Sequence, residues 1–137
     1  KISIFIKMLK FLGFSKNFSL NQDEIIKEGY LLKESRVRKI WRERWTVLSG
    51  KYLLTFEQKG SYTNPTEVID INTVKTVKSD DNPLSFIFKV DSTEGTFFFQ
   101  AKSFDDKEAW IGSVGKVMVQ GSKKNIFIND NDDDERD

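Results

Sequence analysis

The 137-residue chain contains no cysteine and no histidine. Without cysteine there is no disulfide framework and no sign of an oxidising compartment. Together the two absences exclude a zinc site, a histidine general base, a cysteine nucleophile and a serine–histidine pair by inventory. Carboxylates are present, but nothing in their spacing pairs them for acid–base work. No enzyme is therefore expected, and no metal or organic cofactor. Proline is scarce, at two residues beside eight glycines, which argues against a disordered or fibrous chain. A long apolar run is missing too. The most apolar stretch, residues 1–20, is broken by Lys7 and Lys10. It falls short of the roughly 20 apolar residues a bilayer span needs, and the same lysines spoil it as a secretory signal.

What the chain does have is enough apolar material for one small core. Hydrophobic residues make up 38% and aromatics 13%, with twelve Phe and three Trp. Its length suits one domain with tails. Charge nearly cancels at a net +1, so the whole-molecule field says little about partners. Its distribution says more. Residues 1–27 carry five basic and two acidic groups, 28–120 fourteen and thirteen, and 121–137 three and six. The molecule is polarised.

Read as a helix, residues 1–20 place Ile2, Phe5, Ile6, Leu9 and Leu12 on one stripe, opposite Ser3, Lys7 and Lys10. Such a helix could lie in a membrane interface, pack on its own domain or a partner, or be foreign sequence. Residues 1–27 are thus expected to form an amphipathic extension followed by a linker or short helical turn. Beginning without Met and ending in acidic residues, the chain is expected to be a piece of something longer.

From Glu28 the signals are those of strands. Two flank a basic connection within Glu28 to Leu48, and Ser49 with Gly50 marks a tight turn. Tyr52 to Phe56 makes a third strand, Gln58 to Thr66 a loop, and Glu67 to Ile71 and Thr73 to Lys78 two more strands. Asp80 to Pro83 is turn chemistry, since Asp and Asn bond nearby backbone and Pro fixes φ. Leu84 to Val90 and Thr96 to Ala101 complete seven. The period then changes. Ser103 reads as a helix N-cap, with Asp105, Asp106 and Glu108 in a first turn that favours anions. Trp110, Val114, Val117 and Met118 recur at helical spacing. Gly112 and Gly115 each cost this helix up to about 1 kcal/mol relative to Ala, and close packing on the sheet is the expected reason. The chain is therefore mainly β with one α-helix: an antiparallel sheet with a C-terminal helix over one opening. The domain is expected to span 28–120 and the acidic segment 121–137 to be a disordered tail.

The sharpest local signal is the first hairpin. Between Lys33 and Arg44, six cations (Lys33, Arg36, Arg38, Lys39, Arg42, Arg44) stand against two anions, Glu34 and Glu43. Alternation along a strand points Arg42 and Arg44 to one face and Trp41, Glu43, Trp45 and Val47 to the other. Such a hairpin makes an anion site without catalytic groups, or a solvated face that keeps an edge strand soluble.

A Gly-aromatic-Leu-Leu-Lys strand (Gly29 to Lys33), a variable loop, and Trp-Arg-x-Arg-Trp-x-Val-Leu (Trp41 to Leu48) resemble the opening of pleckstrin homology (PH) domains. The resemblance implies a seven-stranded antiparallel PH-type barrel or sandwich capped by a C-terminal helix. It also makes Trp110 the family's core tryptophan. In lipid-binding members, a Lys ending the first strand and a basic-x-Arg pair in the second clasp inositol phosphates. Lys33, Arg42 and Arg44 fill those positions. Arg36, Arg38 and Lys39 would then meet the negative membrane surface. Beside protein kinase B-type members, Asn72 and Lys89 fall where further ligand contacts are expected, although each also reads as a turn residue and an exposed strand cation. The chain departs from the cytohesin type, with Thr55 in place of a Tyr and Thr93 and Glu94 in place of a His and Asn.

The resemblance implies a cytoplasmic module recruited to the cytoplasmic face of membranes by a phosphoinositide headgroup and anionic lipid, with 3-phosphoinositide selectivity a possibility. The other readings are a protein-interaction module, engaged through the N-terminal helix or a sheet edge, and the regulatory domain of a larger signalling protein. Nucleic acid is not expected, because the aromatics alternate into the core rather than lining a basic groove.

Overall fold

The computed structural model describes the backbone of residues 20–135 and side chains through Ser122. Apart from Leu20, the N-terminal amphipathic extension lies outside these residues. A 3-10 turn, Gln22–Glu24, capped by the Asn21 side chain, leads directly into the first strand. Seven strands follow: β1 Ile25–Glu34, β2 Trp41–Ser49, β3 Tyr52–Phe56, β4 Glu67–Asp70, β5 Val74–Ser79, β6 Ile87–Ser92 and β7 Gly95–Gln100. Among the described residues one α-helix, α1, spans Phe104–Glu135.

All neighbouring strands pair antiparallel, in the order β4-β3-β2-β1-β7-β6-β5. The two edge strands, β4 and β5, are consecutive in sequence and joined only by the 3-10 turn Ile71–Thr73. Six interstrand steps in a flat sheet would hold these edges about 29 Å apart. The chain from Asp70 to Val74 reaches at most about 14 Å even when extended. The sheet must curl until its edges meet, and this closure creates an inside and a mouth.

The inside is filled by alternate residues. Leu31, Leu48, Leu53, Phe88, Val90, Phe97 and Phe99 face inward, and Trp110, Val114 and Val117 of α1 pack against them. Trp110 is 1% exposed, in the core position expected of it. Alternation fails along β2, where Trp45 to Ser49 are all buried. The outer face there carries a second cluster, Trp45, Val47, Leu54, Phe56 and Val68, covered by Leu20, Ile25 and Tyr62. Glu28 Oε1 ties the cover down, accepting from Trp45 Nε1 at 3.0 Å and the Tyr62 hydroxyl at 2.7 Å. The hydrogen bond to Glu28 holds the Tyr62 phenol above its ordinary pKa.

Helix α1 starts as expected: Ser103 Oγ accepts from the Asp106 N–H at 3.0 Å. It does not stop at Gln120 but continues to Glu135, through the segment expected to be a disordered tail. No proline interrupts it there. The sixth strand begins at Ile87 rather than Leu84, because the preceding turn is longer than expected. Asn82 Oδ1 accepts from the Leu84 N–H at 3.1 Å, and Ser85 Oγ accepts from the Ile87 N–H at 3.3 Å. The fully buried Lys107 of α1 holds that turn, donating to Ser79 Oγ and the Pro83 and Ser85 carbonyls at 2.9 to 3.0 Å. Close packing does not explain Gly112: a Cβ there would find nothing within 4 Å. Among the described residues, no helix is long and apolar enough to cross a membrane.

Candidate functional site

The β1–β2 register makes Lys33 the direct cross-strand partner of Arg42, and Leu31 that of Arg44. Partners share a face, and residues two apart share a face, so Lys33, Arg42 and Arg44 stand on the inner side above the buried Leu31. The inner side is apolar further down. At the mouth it turns cationic, because the hairpin carries its basic residues at its free end.

A cavity of about 400 Å³ opens at this mouth, lined by Lys33, Ser35, Arg36, Val37, Arg38, Arg42, Arg44, Thr66 and Glu67. Five of the six hairpin cations therefore converge on one space. Arg36 is braced against the β6–β7 turn: its Nη1 donates to the Glu94 carbonyl at 3.1 Å, and its guanidinium lies 4.9 Å from the Phe97 ring centre. Arg44 Nη1 donates to the Glu43 carbonyl at 3.3 Å. Arg38 and Arg42 are exposed and form no ion pair among the described residues. Lys39 lies in the same loop at φ 60°, outside the cavity lining, with its N–H on the Ser35 carbonyl at 3.1 Å.

The fold does not bring the other two candidates to the cavity. Asn72 is the exposed residue of the 3-10 turn before β5, its N–H bonded to Asp70 Oδ1 at 2.9 Å. Its own Oδ1 lies 3.8 Å from where a Cβ on Gly121 would stand, beside α1. Lys89 alternates with the inward Phe88 and Val90, which turns it to the outer face, where it pairs with Asp81 at 3.2 Å.

Glu67, absent from the expected set, is part of the site. It opens β4, and its Oε1 stands 3.4 Å from Lys33 Nζ, the two side chains 7% and 10% exposed. Next to it, Thr66 Oγ1 shares a 2.7 Å hydrogen bond with Thr55 Oγ1. Period two carried the signal. Ile69 faces the core, so Glu67, two residues earlier, must share its side and reach the mouth.

Comparison with known proteins agrees with this architecture. The sequence profile of the PH domain matches residues 25–119. The chain belongs to the PH domain family. Among curated relatives of this PH domain is Pleckstrin homology domain-containing protein 1 of Arabidopsis thaliana, 34% identical over 103 residues, covering 71% of each chain. Human pleckstrin is 30% identical over 104 residues, which cover 72% of this chain and 29% of pleckstrin. Of the first relatives, then, this chain spans most of one and under a third of others. Among solved structures, the C-terminal PH domain of pleckstrin in complex with D-myo-Ins(1,2,3,4,5)P5 superposes with a TM-score of 0.58 at 26% identity, covering 68% of this chain and 97% of that one. A second PH domain, known from a solution structure, gives 0.62 at 26% identity, over 74% of this chain and 93% of that one.

Proposed function

We propose that this PH domain recognises a phosphoinositide headgroup at the cytoplasmic face of a membrane and recruits the protein that carries it. The convergence of Lys33, Arg36, Arg38, Arg42 and Arg44 on one open cavity carries the reading. Phosphate esters bear about −1.5 to −2 charges each, and converging charge-assisted donors are what binds them. Arg42 and Arg44 offer paired N–H groups from a rigid strand, which orders the donors before the ligand arrives. Arg36, held by the Glu94 carbonyl, closes one side. The pleckstrin domain that shares this fold holds an inositol pentakisphosphate, which supports the same ligand chemistry here. Lys39 and Arg38, exposed on the loop, would face anionic lipid.

Charge reversal tests this directly. The Arg42→Glu, Arg44→Glu double variant is expected to lose at least about tenfold in binding to phosphoinositide vesicles at physiological salt, each charge near the surface contributing roughly 1 kcal/mol. Unchanged binding would overturn the proposal. A series of vesicles carrying each phosphoinositide in turn determines whether a 3-phosphorylated ring is preferred.

A further inference from the structure

Building on that headgroup reading, we infer that Glu67 decides which headgroups enter. The site takes an inositol ring that turns a free hydroxyl toward β4, in preference to one phosphorylated all round. The cavity has two unlike walls. Arg36, Arg38, Arg42 and Arg44, from the β1–β2 loop and β2, make one cationic wall. Thr66 and Glu67 make the other, and Lys33 of β1 lines the cavity too, paired with Glu67. A carboxylate accepts hydrogen bonds and donates none, and so does a deprotonated phosphate. A phosphate facing Glu67 would meet a like charge with no proton to share. A ring hydroxyl facing it would donate.

Glu67 cannot simply leave. Its carboxylate is 7% exposed and engaged with Lys33 at 3.4 Å. Its backbone is fixed by pairing with Thr55, and the Thr66 N–H bonds the Thr55 carbonyl at 2.7 Å. The pair also binds part of the charge of Lys33 to Glu67, which leaves phosphate recognition chiefly to the arginine wall. The outcome is a site that reads where phosphates are absent as well as where they are present.

The test uses the full chain with phosphatidylcholine vesicles carrying phosphatidylinositol monophosphates or the trisphosphate at matched total charge, and phosphatidylserine vesicles as the charge control. The wild-type chain is expected to bind at least one monophosphate as tightly as the trisphosphate. Glu67→Gln is expected to raise the ratio of trisphosphate to monophosphate affinity by about tenfold, because the like-charge contact is gone and the acceptor for the free hydroxyl is weakened. Because that variant strips a buried lysine of its counter-ion, the Lys33→Met, Glu67→Met pair is measured beside it, with the same direction of change in the ratio expected. Wild-type preference for the trisphosphate by tenfold would overturn the inference and leave the headgroup site standing. So would an unchanged ratio in the variants. Binding no better than to phosphatidylserine would overturn the headgroup reading itself, and this inference with it.

Discussion

Lys33 and Glu67 face each other at 3.4 Å with little of either side chain in contact with water. Removing one partner of such a pair leaves a buried charge uncompensated, whereas replacing both by apolar groups can be neutral. Lys33→Ala is therefore expected to destabilise the ligand-free domain by about 3 kcal/mol. Arg42→Ala, at an exposed position, should stay within about 0.5 kcal/mol. Urea unfolding distinguishes them as a shift in midpoint at constant slope. Equal midpoints for the two variants would show that the pair does not hold the mouth together. The same contrast explains what could be read from sequence at this scale. Lys33, Arg42 and Arg44 belong to one hairpin, so alternation and a short register suffice to put them on one face. Glu67 obeys the same alternation, but its approach to Lys33 depends on β4 curling across from β1, three strands away in the sheet order. No local pattern encodes that distance. Asn72 and Lys89 stay away from the cavity for separate reasons: Asn72 falls in the turn that joins the two edge strands, beside α1, and alternation with Phe88 and Val90 turns Lys89 outward.

At the scale of elements, all seven strands and the capped start of α1 were legible because turn chemistry and the change of period from two to 3.6 are local signals. The start of β6 was not, since part of what holds its preceding turn is Lys107, 22 and 24 residues away from the carbonyls it binds. Helix α1 also carries a glycine without a structural use. Gly112 is exposed, and an added methyl would meet nothing within 4 Å. Gly112→Ala should stabilise the domain by about 0.5 to 1 kcal/mol, through helix propensity and a less flexible unfolded chain. A rise of several degrees in the thermal midpoint would register it. A lower midpoint would mean that this face of α1 packs against something outside the described residues. Gly115 is a less open case, since a Cβ there would come within 4.0 Å of Val77, an ordinary contact.

At the scale of the whole molecule, a net charge of +1 conceals an end-on polarity. The curl of the sheet gathers the hairpin cations at one mouth, and the β1–β2 loop projects beyond it. Val37, at 93% exposure, sits in that loop between Arg36 and Arg38. An apolar side chain flanked by cations is poorly placed in water and well placed at a boundary between anionic headgroups and acyl chains. The domain should therefore dock mouth-first, with headgroup recognition and loop contact as separable contributions. Val37→Asp is expected to weaken binding to phosphoinositide vesicles by about tenfold, from lost apolar burial and an added like charge at the surface. Binding of a soluble inositol phosphate, measured by calorimetry, should fall by clearly less than vesicle binding, because Arg42 and Arg44 remain in place on their strand. Equal losses in both measurements would mean that Val37 shapes the cavity rather than the membrane contact. No loss in either would mean that the loop stays clear of the bilayer and that the mouth faces the membrane in some other orientation.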